Sequence, residues 1–345
     1  MEIYMNQYLV DITRSLLAID SPSGFCKNVI DFAQTEATRL GYWTAKNAKG
    51  NLFIYLDGAN AEKTIGIAGH VDTLGLMVRS IDTEGGIAFT NVGGPIIPTL
   101  DGEYCRIYTR DKRVYTGTIL SKSPAVHVYP DARERVRNCE NMYIRLDEVV
   151  KNKQDVLNLG IGNGDFVAID PKTTITSSGF VKSRFLDDKQ SVACMFAAMK
   201  ELKDKAIIPA YNLVFILSTY EEVGHGASSL PPEITEMLSV DMGCIGLDLA
   251  CTEYDVSICA KDAAGPYDYE LTNKLIRLAK EHKLPHAVDV YPFYSSDVSA
   301  ALKGGNDIKG ALIGPGVHAS HGMERTHISA VEATVQLILA YVQED

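Results

Sequence analysis

Apolar residues recur at helical spacing from Gln7 to Leu17, and Ser21-Pro22-Ser23-Gly24 then breaks the pattern. A second amphipathic stretch runs from about Asn28 to Leu40. Two strand-like runs follow, Leu52–Leu56 and Thr64–Gly69, and the second leads into His70-Val71-Asp72. Between about Leu76 and Thr174 the texture changes to short alternating runs, among them Tyr104–Tyr108, Val114–Ile119 and Phe166–Ile169, separated by Gly, Pro and Asp. Only Leu146–Leu157 reads as helical there, so this stretch predicts a small β-barrel or sandwich. Helices and strands alternate again afterwards. Ser191–Met199 predicts a buried helix, Asn273–Lys283 and Val331–Val342 amphipathic ones, and Leu213–Leu217, Cys244–Leu247 and Ala311–Ile313 strands. The expected architecture is an α/β domain, residues 1–75 and 175–345, interrupted by a β domain over residues 76–174, with no internal repeat and no low-complexity linker.

Bulk properties narrow the function classes. With 345 residues, the chain can bury the cores of two domains. A net charge of −11 argues against a nucleic-acid backbone or an anionic membrane as the main partner. No apolar run approaches the ~18 residues of a membrane span, and Met1–Gln7 lacks the basic and apolar regions of a signal peptide. The seven cysteines, at 26, 105, 139, 194, 244, 251 and 259, form no Cys-x-x-Cys pair, which disfavours both a disulfide framework and a thiolate zinc site. A cytoplasmic protein is expected.

The candidate chemistry sits where strands end. The run Leu213–Leu217 leads through Ser218-Thr219-Tyr220 to Glu221-Glu222-Val223-Gly224. In open α/β sheets, the carboxyl ends of strands are where ligands bind. Taken alone, two acids before a glycine turn describe a solvated turn. Other segments converge on the same expected edge. Thr64–Gly69 ends in His70 and Asp72, and Gly243–Leu247 ends in Asp248. The run Ala311–Gly314 leads to His318 and His321, while Asp187 and Asp188 enter a helix N-terminus. Singly, these read as satisfied or surface histidines (His225 with them), a loop acid and helix caps. Jointly, imidazoles and carboxylates without thiolates suit Zn²⁺, Co²⁺ or Mn²⁺. Two histidines and three or more carboxylates suffice for two cations sharing a bridge, which in such sites lie ~3.5–4 Å apart.

In these segments the chain resembles the tetrahedral-assembly metallo-aminopeptidases, the bacterial and archaeal glutamyl, leucyl and deblocking aminopeptidases. The resemblance rests on Pro22-Ser23-Gly24, Gly69–Val78, Asn91–Gly94, Phe185–Lys189, Glu221–Gly224, Gly246-Leu247-Asp248 and Ser320–Glu324, in that order over almost the whole chain. It implies a zinc-exopeptidase-like mixed sheet flanked by helices with an inserted β-barrel. It also implies a homo-oligomer, a dodecamer built from dimers through the β domain. In the roles it implies, His70 and Asp248 hold one cation, Glu222 and His321 hold the other, and Asp187 bridges them. Asp72 orients the His70 imidazole. Glu221 takes a proton from the attacking water and passes it to the leaving amine. Thr73, Tyr220 and His318 depart from the usual Glu, Gln and Arg, which leaves substrate preference open.

The expected activity is removal of N-terminal residues from short peptides with two divalent metal ions. Competing readings are a metal-dependent carboxypeptidase or N-acyl amino acid deacylase on a related scaffold, and a glycoside hydrolase, whose chemistry needs two carboxylates and no metal. The longer gap lies between Asp72 and Asp187 and not between Asp248 and His321, which favours the aminopeptidase over the first of these.

Overall fold

The computed structural model describes residues 7–344. The chain divides into two compact units, one running to Asp72 and resuming at Lys172, the other spanning Thr73–Pro171. The first unit is built on a nine-stranded mixed sheet. Its middle is four parallel neighbours, Tyr211–Ser218, Asn60–His70, Ile234–Val240 and Lys309–Val317. Antiparallel strands Leu52–Leu56 and Val256–Lys261 flank these four, and Trp43–Lys46 and His286–Val290 lie beyond them.

Strands covered on both faces should be largely apolar, as residues 213–217, 65–68 and 311–313 are. Successive side chains point to opposite faces. Thus Leu213, Phe215 and Leu217 join one core with Ile65, Ile67, Leu238 and Ile313, while Val214 and Ile216 join a second with Ala68, Met237 and Leu312. Helices Gln7–Leu17, Lys27–Arg39, Leu186–Asp204, Tyr269–Glu281 and Ile328–Gln343 fill the first core. The short helix Asp297–Lys303 contributes Val298 and Ala301 to the second. Leu186–Asp204 is buried around most of its circumference, which explains its uninterrupted Val192–Met199 run.

The second unit is a closed antiparallel barrel, in the order Gly75–Ile81, Ile87–Val92, Met142–Leu146, Val114–Ser121, Tyr104–Tyr108 and Phe166–Ile169. Closure leaves no exposed strand edge, which settles barrel over sandwich. The helix expected over Leu146–Leu157 is shorter. Residues Met142–Leu146 pair with Val114–Ser121 as a strand, and the helix is Lys153–Asn158, capped by the Asn152 side chain accepting from Asp155 N–H.

One strand was misplaced by the sequence reading. The expected Cys244–Leu247 strand is only the two-residue pairing Gly243–Cys244, and the fourth parallel strand is Ile234–Val240. It was obscured by Thr235, Glu236 and Ser239. Glu236 is buried because Lys63 (2.7 Å) and the Tyr341 hydroxyl (2.5 Å) satisfy its carboxylate. The consequence is chemical: the acid at the end of this strand is Asp241, and Asp248 lies in an exposed turn.

Asp241 is held against its neighbour strand by N–H donation to the Ile313 carbonyl (2.8 Å). The approach is close enough that a Cβ on Gly314 would lie 1.6 Å from the Asp241 carbonyl oxygen. Replacing Gly314 by Ala forces the two strands apart. Overpacking of this kind costs about 1–3 kcal/mol or more, and urea unfolding of Gly314→Ala should show a correspondingly lower midpoint. An unchanged midpoint would contradict the packing described.

Candidate metal centre

Parallel pairing sets the site's geometry. Ser218 is in register with His70, and Ser239 with Ala68. The residues just past these ends therefore emerge side by side. His70 Nε2 lies 3.2 Å from Asp187 Oδ1, 3.7 Å from Glu221 Oε2 and 4.0 Å from Asp241 Oδ2. His321 Nε2 lies 3.5 Å from Asp187 Oδ2 and 3.6 Å from Glu222 Oε2. Asp187 thus faces both imidazoles, one oxygen to each. Donor atoms of His70, Glu221 and Asp241, and of His70, Asp187 and Glu222, lie within 4.8 Å of one another.

Each side chain is fixed by a backbone-directed contact. The His70 N–H donates to Asp188 Oδ2 (3.1 Å), which requires Gly69, since a Cβ there would stand 3.0 Å from that oxygen and 2.9 Å from Met195 Sδ. His70 Nδ1 is 2.9 Å from the Asp72 main-chain carbonyl. A carbonyl cannot donate, so Nδ1 carries a proton, which leaves Nε2 to face the carboxylates: protonated, it donates to Asp187 in the metal-free chain, and deprotonated, it would offer its lone pair to a cation. The Asp72 carboxylate is 3.5 Å from Nδ1 but also accepts from Ser23 Oγ (2.5 Å) and from the N–H groups of Glu221 (3.1 Å) and Glu222 (3.3 Å). Asp72 therefore tethers the Glu pair as well as the imidazole. Glu324 accepts from the N–H groups of Asp187 and His321, both at 3.0 Å, and ties the bridge-like Asp187 to the second imidazole. Asp187 enters with non-helical backbone angles at the start of Leu186–Asp204, so it projects to the site and does not cap the helix.

The expected residues His70, Asp72, Asp187, Glu221, Glu222 and His321 come together. Asp248 does not, and Asp241 stands in the place expected for it. His318 is exposed, and its backbone pairs with Arg325 outside the cluster. His225 is a surface residue stacked on Tyr220, with ring centroids 4.9 Å apart. Sequence reasoning also passed over Asp241, Glu324 as an anchor, and Asp188 as the acceptor of the His70 N–H. The signal for Asp241 was an acid directly after a buried parallel strand, the same cue that marked His70.

Four carboxylates facing two imidazoles make a site that fits divalent cations. Glu222 Oε1 is wholly buried without a hydrogen-bond partner, an orphaned acceptor that a cation would satisfy. All the donors are oxygen or imidazole nitrogen, a set suited to Zn²⁺, Co²⁺ or Mn²⁺.

The sequence model of the M42 glutamyl aminopeptidase family matches residues 50–337. The chain belongs to this family. It is a peptidase, a metal-dependent aminopeptidase of the M42 group. A putative aminopeptidase of Bacillus subtilis, YhfE, is 46% identical over 335 residues, 97% of each chain. A TET aminopeptidase from the marine sediment archaeon Thaumarchaeota archaeon SCGC AB-539-E09 has the same fold, with a TM-score of 0.88 at 18% identity, covering 98% of this chain and 96% of that one. The TET1 peptidase of Pyrococcus horikoshii, which assembles into a tetrahedron or a large octahedral shell, aligns with a TM-score of 0.85 at 22% identity, covering 98% of this chain and all of that one.

Burial dominates the electrostatics of this M42 centre. It pushes Glu221, Glu222 and Asp188 well above the usual carboxylate range. Burial and the neighbouring Asp187 raise Asp241 to about 7 and Glu324 to about 8. Burial alone would lower His70, but hydrogen bonding to Asp187 and Asp72 raises it well above the ordinary imidazole value. Burial opposes the charge on Asp187, yet His321 and His70 hold it below the usual range.

The signs fix a pH dependence for the metal-free chain. An acid with a raised folded pKa binds its proton more tightly when folded, so its stabilisation is present at low pH and lost as pH rises through the folded value, here about 7 for Asp241 and about 8 for Glu324. His70 acts in the same direction, its contribution complete below about 6.5 and lost above its raised value. Asp187, being depressed, opposes this trend only in acid. The chelator-treated protein should therefore melt at a lower temperature near about pH 8 than near about pH 5, with the slope reduced in Asp241→Asn. A melting temperature that rises over this interval would refute the account.

Proposed function

We propose that the centre holds two divalent cations and that Glu221 moves the proton in peptide-bond hydrolysis. In this reading His70 and Asp241 hold one cation, Glu222 and His321 hold the other, and Asp187 supplies one oxygen to each. The observation that carries it is the position of Asp187 between the two imidazoles, 3.2 Å from one and 3.5 Å from the other. When bound, such a pair supplies Lewis acidity to the scissile carbonyl and lowers the pKa of water in the site.

The chain's own groups do the rest. Asp72 and Glu324 keep the carboxylates and imidazoles in place through backbone donors, so little reorganisation is needed on substrate binding. The two glutamates divide the work by exposure. Glu222 is 4% exposed with one orphaned oxygen, as befits a ligand, whereas Glu221 is 13% exposed and more open to an incoming water. Burial raises the proton affinity of Glu221, which supports its taking a proton from the attacking water and returning it to the leaving amine.

Short peptides with a free N-terminus are the proposed substrates. The site's acidity would attract a protonated α-amino group. A cytoplasmic setting is part of the proposal and is supported by seven free cysteines. So is a large homo-oligomer, supported by the fold shared with a TET1 peptidase that builds shells. Light scattering of the metal-loaded protein should return a mass many times that of one 37.7 kDa chain, and a monomer would remove the assembly proposal.

Four variants test the chemistry together. General-base catalysis is worth ~10²–10⁴-fold, so Glu221→Gln should lose about that much kcat while keeping its metal. Glu222→Gln and Asp241→Ala should lose metal and activity together, and Asp248→Ala should keep its metal. Metal content by mass spectrometry decides the assignment. Retention by Asp241→Ala with loss from Asp248→Ala would restore the other acid, and loss from Glu221→Gln with retention by Glu222→Gln would reverse the glutamate roles.

A further inference from the structure

Beside the centre lies a cavity of about 340 Å³ that the hydrolytic groups do not use. Its walls include Cys244, Ile245, Leu249, Phe293, Tyr294 and His321. Two contacts make it continuous with the centre. The His321 ring that lines it is the one facing Asp187 and Glu222. Met242, another wall residue, donates its N–H to Asp241 Oδ1 at 2.6 Å.

We infer that this cavity receives the side chain of the substrate's N-terminal residue and selects large apolar ones, leucine, methionine or phenylalanine. The inference rests on the aminopeptidase reading above. Three observations support it. The volume is at the lower end of the ~300–1,000 Å³ range of ligand pockets, so it suits one side chain and not an extended peptide. Its walls are mainly aliphatic and aromatic, with Asp248, Ser320 and His321 among them, and among the described lining residues none is lysine or arginine. Leu247 and Phe293 border it at 97% and 94% exposure, large apolar side chains displayed to solvent where a substrate would cover them.

Charge decides against the acidic alternative. A glutamyl side chain would find no lysine or arginine in the walls. It would instead meet Asp248 on the turn. The family's description as glutamyl aminopeptidases therefore does not carry over to this chain's preference. A lysyl side chain would find Asp248 alone, at an exposed position where ion pairs contribute little.

The test uses the metal-loaded enzyme with Leu-, Phe-, Ala-, Glu- and Lys-p-nitroanilides, and isothermal titration with free L-leucine and L-glutamate as a readout independent of turnover. Filling an apolar pocket is worth about 10–200-fold, so kcat/KM for Leu or Phe should exceed that for Ala by at least ~10-fold, and that for Glu by more. Leu249→Arg places a cation in the wall and should shift the Leu-to-Glu ratio at least ~10-fold toward Glu, with metal content by mass spectrometry kept as proof of an intact centre. Phe293→Ala, at a position the core does not need, should raise KM for Phe with kcat little changed. L-Leucine should bind measurably tighter than L-glutamate and more weakly to Leu249→Arg.

A preference for Glu or Lys, or a ratio unmoved by both variants, overturns the pocket assignment and leaves the peptidase reading standing. If Phe293→Ala dissociates an oligomer without changing selectivity, the rim is a contact between copies and the assignment falls. If no nitroanilide is hydrolysed, the peptidase reading fails. The L-leucine titration then decides the pocket, since selective, Leu249-dependent binding supports it and equal binding of both amino acids removes it.

Discussion

The structure depends on one electrostatic constraint: four carboxylates, Asp187, Glu221, Glu222 and Asp241, crowd two imidazoles at the end of a buried sheet. Removing charges from water costs several kcal/mol for each ion unless partners repay it. His70 and His321 repay part, and Asp187 is held ionised between them. The rest remains as raised proton affinity, with burial its largest cause throughout. Such an arrangement is poorly satisfied as a protein alone and well satisfied around divalent cations. Strained proton affinities of this kind mark functional sites.

Holding that arrangement in place falls to a second set of acids with a different task. Asp72, Asp188 and Glu324 accept backbone N–H groups of Glu221, Glu222, His70, Asp187 and His321. Each thereby links loops from distant parts of the sequence. Repulsion among the inner carboxylates is opposed by neutral donors whose positions the sheet already sets. The parallel register carries this inward, because Gly69 and Gly314 let neighbouring backbones and Asp188 approach more closely than any side chain would permit.

Much of this was legible in the sequence, and the omissions have identifiable causes. The run Leu213–Leu217 is apolar without interruption, so its end, and with it Glu221 and Glu222, could be placed from the pattern. The same holds for Thr64–Gly69 and His70. Ile234–Val240 carries Glu236, which hid a strand whose polarity is neutralised by Lys63 and Tyr341, partners 173 and 105 residues away. With the strand lost, its terminal acid was sought seven residues too late, at Asp248. The helix expected over Leu146–Leu157 failed for a related reason: Leu146 belongs to barrel pairing with Gly117, a long-range contact that local periodicity does not show.

The neighbouring glutamates show how far one turn can separate two side chains. Glu221–Val223 is a single 3₁₀ turn, and the N–H groups of both acids rest on the same Asp72 carboxylate. Their side chains then part. Glu221 turns to His70 and Asp241, Glu222 to His321 and Asp187. Because a tight turn rotates successive side chains by about a third of a revolution, one anchor can direct the more open carboxylate of Glu221 one way and the more buried carboxylate of Glu222 another. Moving the anchor would displace both at once. Asp72 is therefore the residue through which the proposed proton carrier, Glu221, and the proposed cation-holding group, Glu222, are kept at a fixed separation.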